Sequence, residues 1–291
     1  MTATTVGRSL SAQFGCTSSA LTSVHSLSSR AFVRYSLIAA LGLGACARPT
    51  APSPARAPLQ LFVFVGQSNM AGRGVIEAED SVPNPRVLMF TRDRNWLPAI
   101  DPVQFDKPRL VGVGPARSFG LTLANVDSTM LVGLIPAAVG GTDIASWQPG
   151  ALDVATQTHP YDDAIARARA AMKDGELKAI VWHQGESDAN AAKAEFYEPR
   201  LRAVIAQFRA DLGNPTLPFL IGQVGHFPGA EWKAPRIHVD SVHRALAAQI
   251  PNVAFVSSEG LMDRGDTTHF NAAGARELGR RYAKAYLLLV H

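Results

Sequence analysis

Four short segments of this chain combine residue types able to make and break bonds. The first, Gly66-Gln67-Ser68-Asn69-Met70, puts a hydroxyl in a glycine-led turn, where nearby backbone N–H groups can stabilise an oxyanion once the serine attacks a carbonyl. It lacks the second glycine of G-x-S-x-G, which argues against an α/β-hydrolase elbow. A serine hydroxyl needs an imidazole to accept its proton, and the imidazole needs a carboxylate to hold its tautomer. Asp266-Thr267-Thr268-His269 supplies both groups from one loop. Each pattern alone has a plainer reading: Ser68 as a turn residue, Asp266 as a helix cap and His269 as a surface histidine.

The other two segments are Gly140-Gly141-Thr142-Asp143-Ile144-Ala145-Ser146-Trp147 and His183-Gln184-Gly185-Glu186-Ser187-Asp188. Paired glycines allow close backbone approach, so the N–H of Gly141 can face a developing negative charge, although a simple glycine turn with Trp147 packed on the core fits equally well. The second is the densest polar cluster in the chain, and burying it without a use costs free energy for every unpaired group. Metal binding by His183, Glu186 and Asp188 is a rival reading, but the spacing matches no zinc signature, and His238 and His243 do not share a helix face well. A metal-free site is preferred.

The elements that would position these residues alternate short apolar runs with longer amphipathic ones, as in a parallel sheet covered by helices. Strands are expected at Leu61 to Val65, Leu131 to Ile135, Ala179 to Trp182, Phe219 to Val224 and Val253 to Val256, nearly continuous in apolar residues because both faces are buried. Helices are expected at about 116–125, 161–172, 199–212, 235–250 and 271–289. Leu201, Ile205, Phe208 and Leu212 mark one helical stripe, and Leu278, Tyr282, Ala285 and Leu289 another. The expected fold is a three-layer α/β/α sandwich on a central, mostly five-stranded parallel sheet. In such sheets the reactive edge is where the strands end. Three of the four segments follow expected strands, and the fourth precedes the last helix. The irregular stretch from Gly72 to Gly114 reads as an insertion after the first strand, containing the strand-like run Val87 to Phe90.

Composition narrows the class further. The 291 residues are 47% hydrophobic and 18% charged, enough for one large core. Arg8, Arg30 and Arg34 account for most of the formal charge of +4, so the rest of the chain is near neutral and no nucleic-acid footprint remains. Residues 36–45, SLIAALGLGA, form an apolar run too short for a membrane span and read as a signal peptide occupying 1–45. Leu43-Gly44-Ala45-Cys46 resembles a lipobox, implying lipid attachment at Cys46 and export to a membrane-anchored location, with ordinary secretion as the alternative. A Pro/Ala-rich linker at 46–58 then leads into a domain at 59–291. Cys16 leaves with the leader and Cys46 is modified, so neither of the 2 cysteines is left to form a disulfide or a thiolate site.

Taken in order, G-Q-S-N-M, G-G-T-x-I-x-x-W, H-Q-G-E-S-D and D-x-x-H resemble the sequence blocks of the SGNH hydrolase branch that holds sialate O-acetylesterase-like proteins and carbohydrate esterase family 6, with its acetyl xylan esterases. The resemblance spans roughly Leu61 to Leu289 and implies a flavodoxin-like SGNH fold. It implies Ser68 as nucleophile, His269 as general base and Asp266 as its orienting acid. The N–H groups of Ser68 and Gly141 would form the oxyanion hole, with Gln184 as a side-chain donor where many SGNH enzymes use asparagine. Glu186 would support the site through hydrogen bonds, and Gln67, Asn69, Thr142, Trp147 and His183 would support it or touch substrate. The implied reaction removes O-acetyl groups from a carbohydrate through an acetyl-enzyme, without cofactor. Trp147, Phe227 and Trp232 are candidate sugar-facing aromatics, and the insertion with Trp96 a candidate second wall. A glycan-binding module without activity and a lipase or thioesterase of the same superfamily are the competing classes.

Overall fold

A computed structural model describes residues 58–291. The expected signal peptide, Cys46 and all but the last residue of the linker lie outside the described residues. A seven-stranded sheet organises the rest: β1 (Leu59–Gly66), β2 (Val87–Phe90), β3 (Trp96–Pro98), β4 (Val132–Pro136), β5 (Gly175–His183), β6 (Phe219–Gly222) and β7 (Val253–Val256). Their spatial order is β3-β2-β4-β1-β5-β6-β7, parallel throughout except for β3. The helices are α1 (Ser68–Ala71), α2 (Pro115–Val126), α3 (Pro160–Ala171), α4 (Tyr197–Asp211), α5 (Ala234–Gln249) and α6 (Ala272–Val290). Proline in the first turn of α2, α3 and α5 starts each where its missing N–H costs no hydrogen bond.

Strand β1 explains why the domain has two cores. Side chains alternate across a strand, so Leu61, Val63 and Val65 face one layer, with α3, α4 and α5, while Phe62 and Phe64 face the other, with α2 and α6. Phe62 meets the edges of Phe119 and Tyr286 at 4.8 and 5.0 Å between ring centres. Fully burying a ring of this kind stabilises the fold by roughly 1.5–3 kcal/mol.

All five expected strands are present, and the insertion contributes two more. Val87–Phe90 extends the sheet beside β4, and Trp96–Pro98 folds back antiparallel as a short edge strand ending in proline, which suits an edge. Trp96 therefore does not build a wall of the site. Its ring packs on Phe90, and its Nε1 donates to Asp174 Oδ2 at 3.0 Å, just before β5 begins and so at the edge opposite the strand ends. The insertion is closed at its base by paired hydrogen bonds between Gly74 and Val113, at 3.1 and 2.9 Å.

In this order β1 has β4 on one side and β5 on the other, and the chain leaves β1 in opposite directions along the sheet. The crevice at such a reversal lies beyond the carboxyl ends of the strands. Gly66, Pro136 and His183 end β1, β4 and β5 there, so the loops that follow must converge.

Candidate active site

Ser68 owes its position to a backbone contact. At Gly66 φ is +125°, and a Cβ there would stand 2.0 Å from the carbonyl oxygen of His183, so only glycine lets β1 end this close to β5. Gln67 N donates to that carbonyl at 2.9 Å. One helical turn follows, with Ala71 N bonded to Gln67 O and Gly72 N to Ser68 O, both at 2.9 Å. Ser68 opens the turn, so its own N–H has no helical acceptor and stays available.

The loop before α6 brings His269. Asp263 Oδ2 accepts from Gly265 N at 3.1 Å and Thr267 N at 2.5 Å, holding Thr267 in a left-handed conformation with φ of +54°. Asp266 Oδ1 then accepts from Thr268 N and His269 N at 3.0 and 2.8 Å, and Asp266 Oδ2 accepts from His269 Nδ1 at 2.8 Å. Burial pushes the Asp266 carboxyl up, but the hydrogen bonds from His269 and Thr268 outweigh it and hold the group below the usual carboxylate range. With Nδ1 donating, His269 Nε2 is left as an acceptor, 3.0 Å from Ser68 Oγ.

Asn69 locks this loop to the serine turn. Its Oδ1 accepts from Phe270 N at 3.1 Å, and its Nδ2 donates to Thr268 O at 2.9 Å and to Glu186 Oε1 at 2.6 Å. The side chain next to Ser68 thus grips the backbone on both sides of His269. Burial acts to raise the Glu186 pKa, but His183, with Nε2 at 3.4 Å, and the Asn69 amide outweigh it and bring it down to about 2. His183 is itself buried, with Nδ1 3.1 Å from the Tyr282 hydroxyl, which donates to Trp182 O at 2.8 Å.

The glycine loop completes the ring of segments. Gly141 has φ of +89°, and its N–H has no protein acceptor among the described residues. Gly140 N donates to Asp106 Oδ2 at 2.8 Å, and that oxygen also accepts from Arg73 Nη2 at 3.1 Å. This buried pair fixes the loop, and neither member stood out in the sequence. Asp106 lies inside the irregular insertion, next to Lys107, which in sequence reads as its local partner.

Two expectations need correction. Gln184 is fully buried, and its Nε2 is surrounded by Asp188 Oδ2 at 2.6 Å, Gln67 Oε1 at 3.1 Å and Thr142 O at 3.2 Å. An amide nitrogen has two hydrogens, so no donor remains for a substrate oxyanion. Gln67, by contrast, accepts at Oε1 from Gln184 Nε2 and, at 3.3 Å, from Ser187 N, and its own Nε2 has no protein acceptor among the described residues. Secondly, Trp147 is fully buried against Trp182 at 5.2 Å, with Nε1 donating to Thr142 Oγ1 at 3.0 Å, so both residues are structural. Phe227 is likewise buried against Phe270, while Trp232 is half-buried beside His226. Asp188 Oδ2 is taken up by Ile144 N and Gln184, so it does not converge with His183 and Glu186.

Beyond the strand ends, a buried serine, a partly exposed imidazole and two N–H groups with no protein acceptor among the described residues form an arrangement able to support attack by a serine hydroxyl on a carbonyl. A family model described as carbohydrate esterase, sialic acid-specific acetylesterase matches residues 58–288, and the chain belongs to that family: it is an enzyme, a carbohydrate acetylesterase. It is 33% identical over 252 residues to a probable carbohydrate esterase of Arabidopsis thaliana, covering 79% of this chain and 91% of the relative. The solved structure of that Arabidopsis protein superimposes with a TM-score of 0.70 at 31% identity, over 79% of this chain and 98% of the other. NanS, at 17% identity, shares the fold with a TM-score of 0.64 over 80% of this chain and 98% of its own. A carbohydrate acetylesterase from Xanthomonas citri, at 21% identity, does so with 0.58 over 79% and 56%.

The low pKa of Glu186 has a consequence for stability. Because it falls from the ordinary 4.5 to about 2 on folding, its contribution is fully present above pH 4.5 and is lost as pH falls toward 2. In urea unfolding, Glu186→Gln should be less stable than the natural protein at pH 6, with the gap narrowing at pH 3. A gap independent of pH would remove Glu186 as an anionic anchor.

Proposed function

We propose that this enzyme cleaves O-acetyl esters of acetylated xylan, sialic acid or a related glycan by a Ser68-His269-Asp266 relay through an acetyl-enzyme. The observation that carries the reading is the continuous pair of contacts from Ser68 Oγ to His269 Nε2 at 3.0 Å and from His269 Nδ1 to Asp266 Oδ2 at 2.8 Å. Ser68 Oγ attacks the acetyl carbonyl as its proton passes to His269 Nε2. The negative charge that appears on the carbonyl oxygen is met by the N–H groups of Ser68 and Gly141. His269 then gives its proton to the departing sugar oxygen, leaving acetate esterified to Ser68. Water repeats the sequence and releases acetate.

Gln67 takes the side-chain donor role that Gln184 has no hydrogen left to fill. Gln184 and Ser187 N hold its oxygen, which leaves the amide nitrogen as the open end beside Ser68. Preorganised donors act through the charge that develops in the transition state, so their removal falls on kcat.

Acetate release from acetylated xylo-oligosaccharide and from p-nitrophenyl acetate should fall by roughly 10⁴-fold or more in Ser68→Ala. Equal rates in the two proteins would remove Ser68 as the nucleophile, and faster hydrolysis of long acyl chains than of acetyl would favour a lipase or thioesterase. Gln67→Ala should lower kcat by about 10²-fold with KM little changed; a change confined to KM would give Gln67 a binding role instead. Export as a lipoprotein belongs to the same proposal and rests on the apolar run ending at Cys46. Mass spectrometry of the protein from its native host should find an acylated Cys46, and an unmodified start downstream of it would refute the anchor.

A further inference from the structure

A cavity of about 450 Å³ reaches the glycine loop from the side of the insertion. Val139 lines it two residues before Gly141, and so does Lys107, whose Nζ lies 3.6 Å from where a Cβ on Gly141 would sit. Arg92, Arg94 and Arg167 line the same cavity. Four cations therefore face one space, and the hydrogen bonds made by two of them go to carbonyl groups. Arg167 donates Nε to Pro136 O at 2.8 Å and Nη2 to Phe90 O and Thr91 O at 2.6 and 2.9 Å. Arg92 donates Nη2 to Phe105 O at 2.6 Å, and the guanidinium groups of Arg92 and Arg167 lie 4.9 and 4.6 Å from the centre of the Phe105 ring.

The carboxylates in the lining do not balance this charge. Asp106 is committed to Arg73 and Gly140 N, and Asp163 is an exposed residue in the first turn of α3. Burial is the main cause that pushes the Arg167 pKa down to about 10; the charges of Arg94 and Arg92 add to it and Asp163 opposes it. Arg94 also holds a left-handed conformation, φ +61°, in the turn that joins β2 to β3, a position that glycine or asparagine would occupy at lower cost. Arg167 is explained by the carbonyl groups it secures. Arg92 is tied only to Phe105, the side chains of Arg94 and Lys107 make no hydrogen bond or ion pair among the described residues, and a cluster of like charges of this kind is stabilised by an anion.

We propose that this cavity is a substrate subsite for a carboxylate-bearing sugar unit, a uronate, attached next to the acetylated sugar. The inference rests on the esterase reading, since the lining residues Val139, two positions before Gly141, and Lys107 put the cavity beside the glycine loop that in that reading faces a glycan bound at Ser68. The space exceeds what one carboxylate needs and suits a whole ring whose charge lies among the guanidinium groups.

Binding to Ser68→Ala measures the subsite without turnover, so its outcome is separable from the esterase test with p-nitrophenyl acetate. Isothermal titration should find an acetylated xylo-oligosaccharide bearing a glucuronosyl branch bound about tenfold tighter than the same oligosaccharide with its carboxyl reduced to an alcohol, the order expected of a solvent-screened charge contact. The preference should disappear when Arg92→Gln and Arg94→Gln are added and should shrink with rising salt. Equal affinity for the two oligosaccharides would overturn the proposal, as would a preference that survives in the Arg92→Gln, Arg94→Gln background. Free glucuronate binding as tightly as the branched oligosaccharide would also overturn it, because the cavity would then be an anion site independent of the substrate.

Discussion

The 2.6 Å hydrogen bond from Asn69 to Glu186 is the contact on which the geometry of the site depends. It joins the loop after β5 to the turn after β1, and through the other two hydrogen bonds of Asn69 it reaches the loop that carries His269. These segments come from opposite ends of the chain. No local rule of turn or helix formation sets the distance between Ser68 and His269, which is fixed through Asn69, the side chain adjacent to Ser68. A buried carboxylate would ordinarily gain a proton, and it would then lose part of its hold on an amide donor. His183 prevents this, and Tyr282 on α6 holds His183 in turn, so the packing of the last helix is coupled to the position of His269.

A second network serves the other side of the crevice. Arg73 and Asp106 hold Gly140, and Asp188 holds both Ile144 N and Gln184, whose amide in turn supports Gln67. Here the carboxylate behaves differently. Burial outweighs its hydrogen bonds and raises Asp188 to about 6, whereas Glu186 is brought down to about 2. The contrast follows from the partners: Glu186 faces an imidazole, and Asp188 is bonded to two neutral donors, with the opposing charges of Asp143 and Lys193 farther out. The two acids of one hexapeptide thus share burial but not charge environment.

Much of this was legible in the residues. The five central strands announced themselves as continuous apolar runs because a parallel sheet is covered on both faces, and Asp266 and His269 were readable because a three-residue loop brings them together locally. Trp96–Pro98 gave no such signal, since a three-residue edge strand is defined by its partner β2 more than by its own composition. The role of Trp147 was hidden for a related reason. An indole with a polar handle looks alike in sequence whether its N–H meets a sugar or, as here, Thr142 Oγ1. Arg73 and Asp106 stand 33 positions apart and could be paired only once the insertion had been folded back on the glycine loop.

Gln184 shows the limit of transferring a role by position in a motif. Glutamine is one methylene longer than asparagine, so an amide at the same point of the chain need not deliver its nitrogen to the same place. In this fold the longer side chain turns into the protein, where Asp188, Thr142 O and Gln67 surround its nitrogen. The buried amide fixes Gln67, which sits one residue from Ser68 with its oxygen already occupied. A side chain held at one end and open at the other needs little reorganisation when charge appears beside it. In the proposed reaction the side-chain donor therefore stands one step along a hydrogen-bonded chain from Gln184, just after β1 and not after β5.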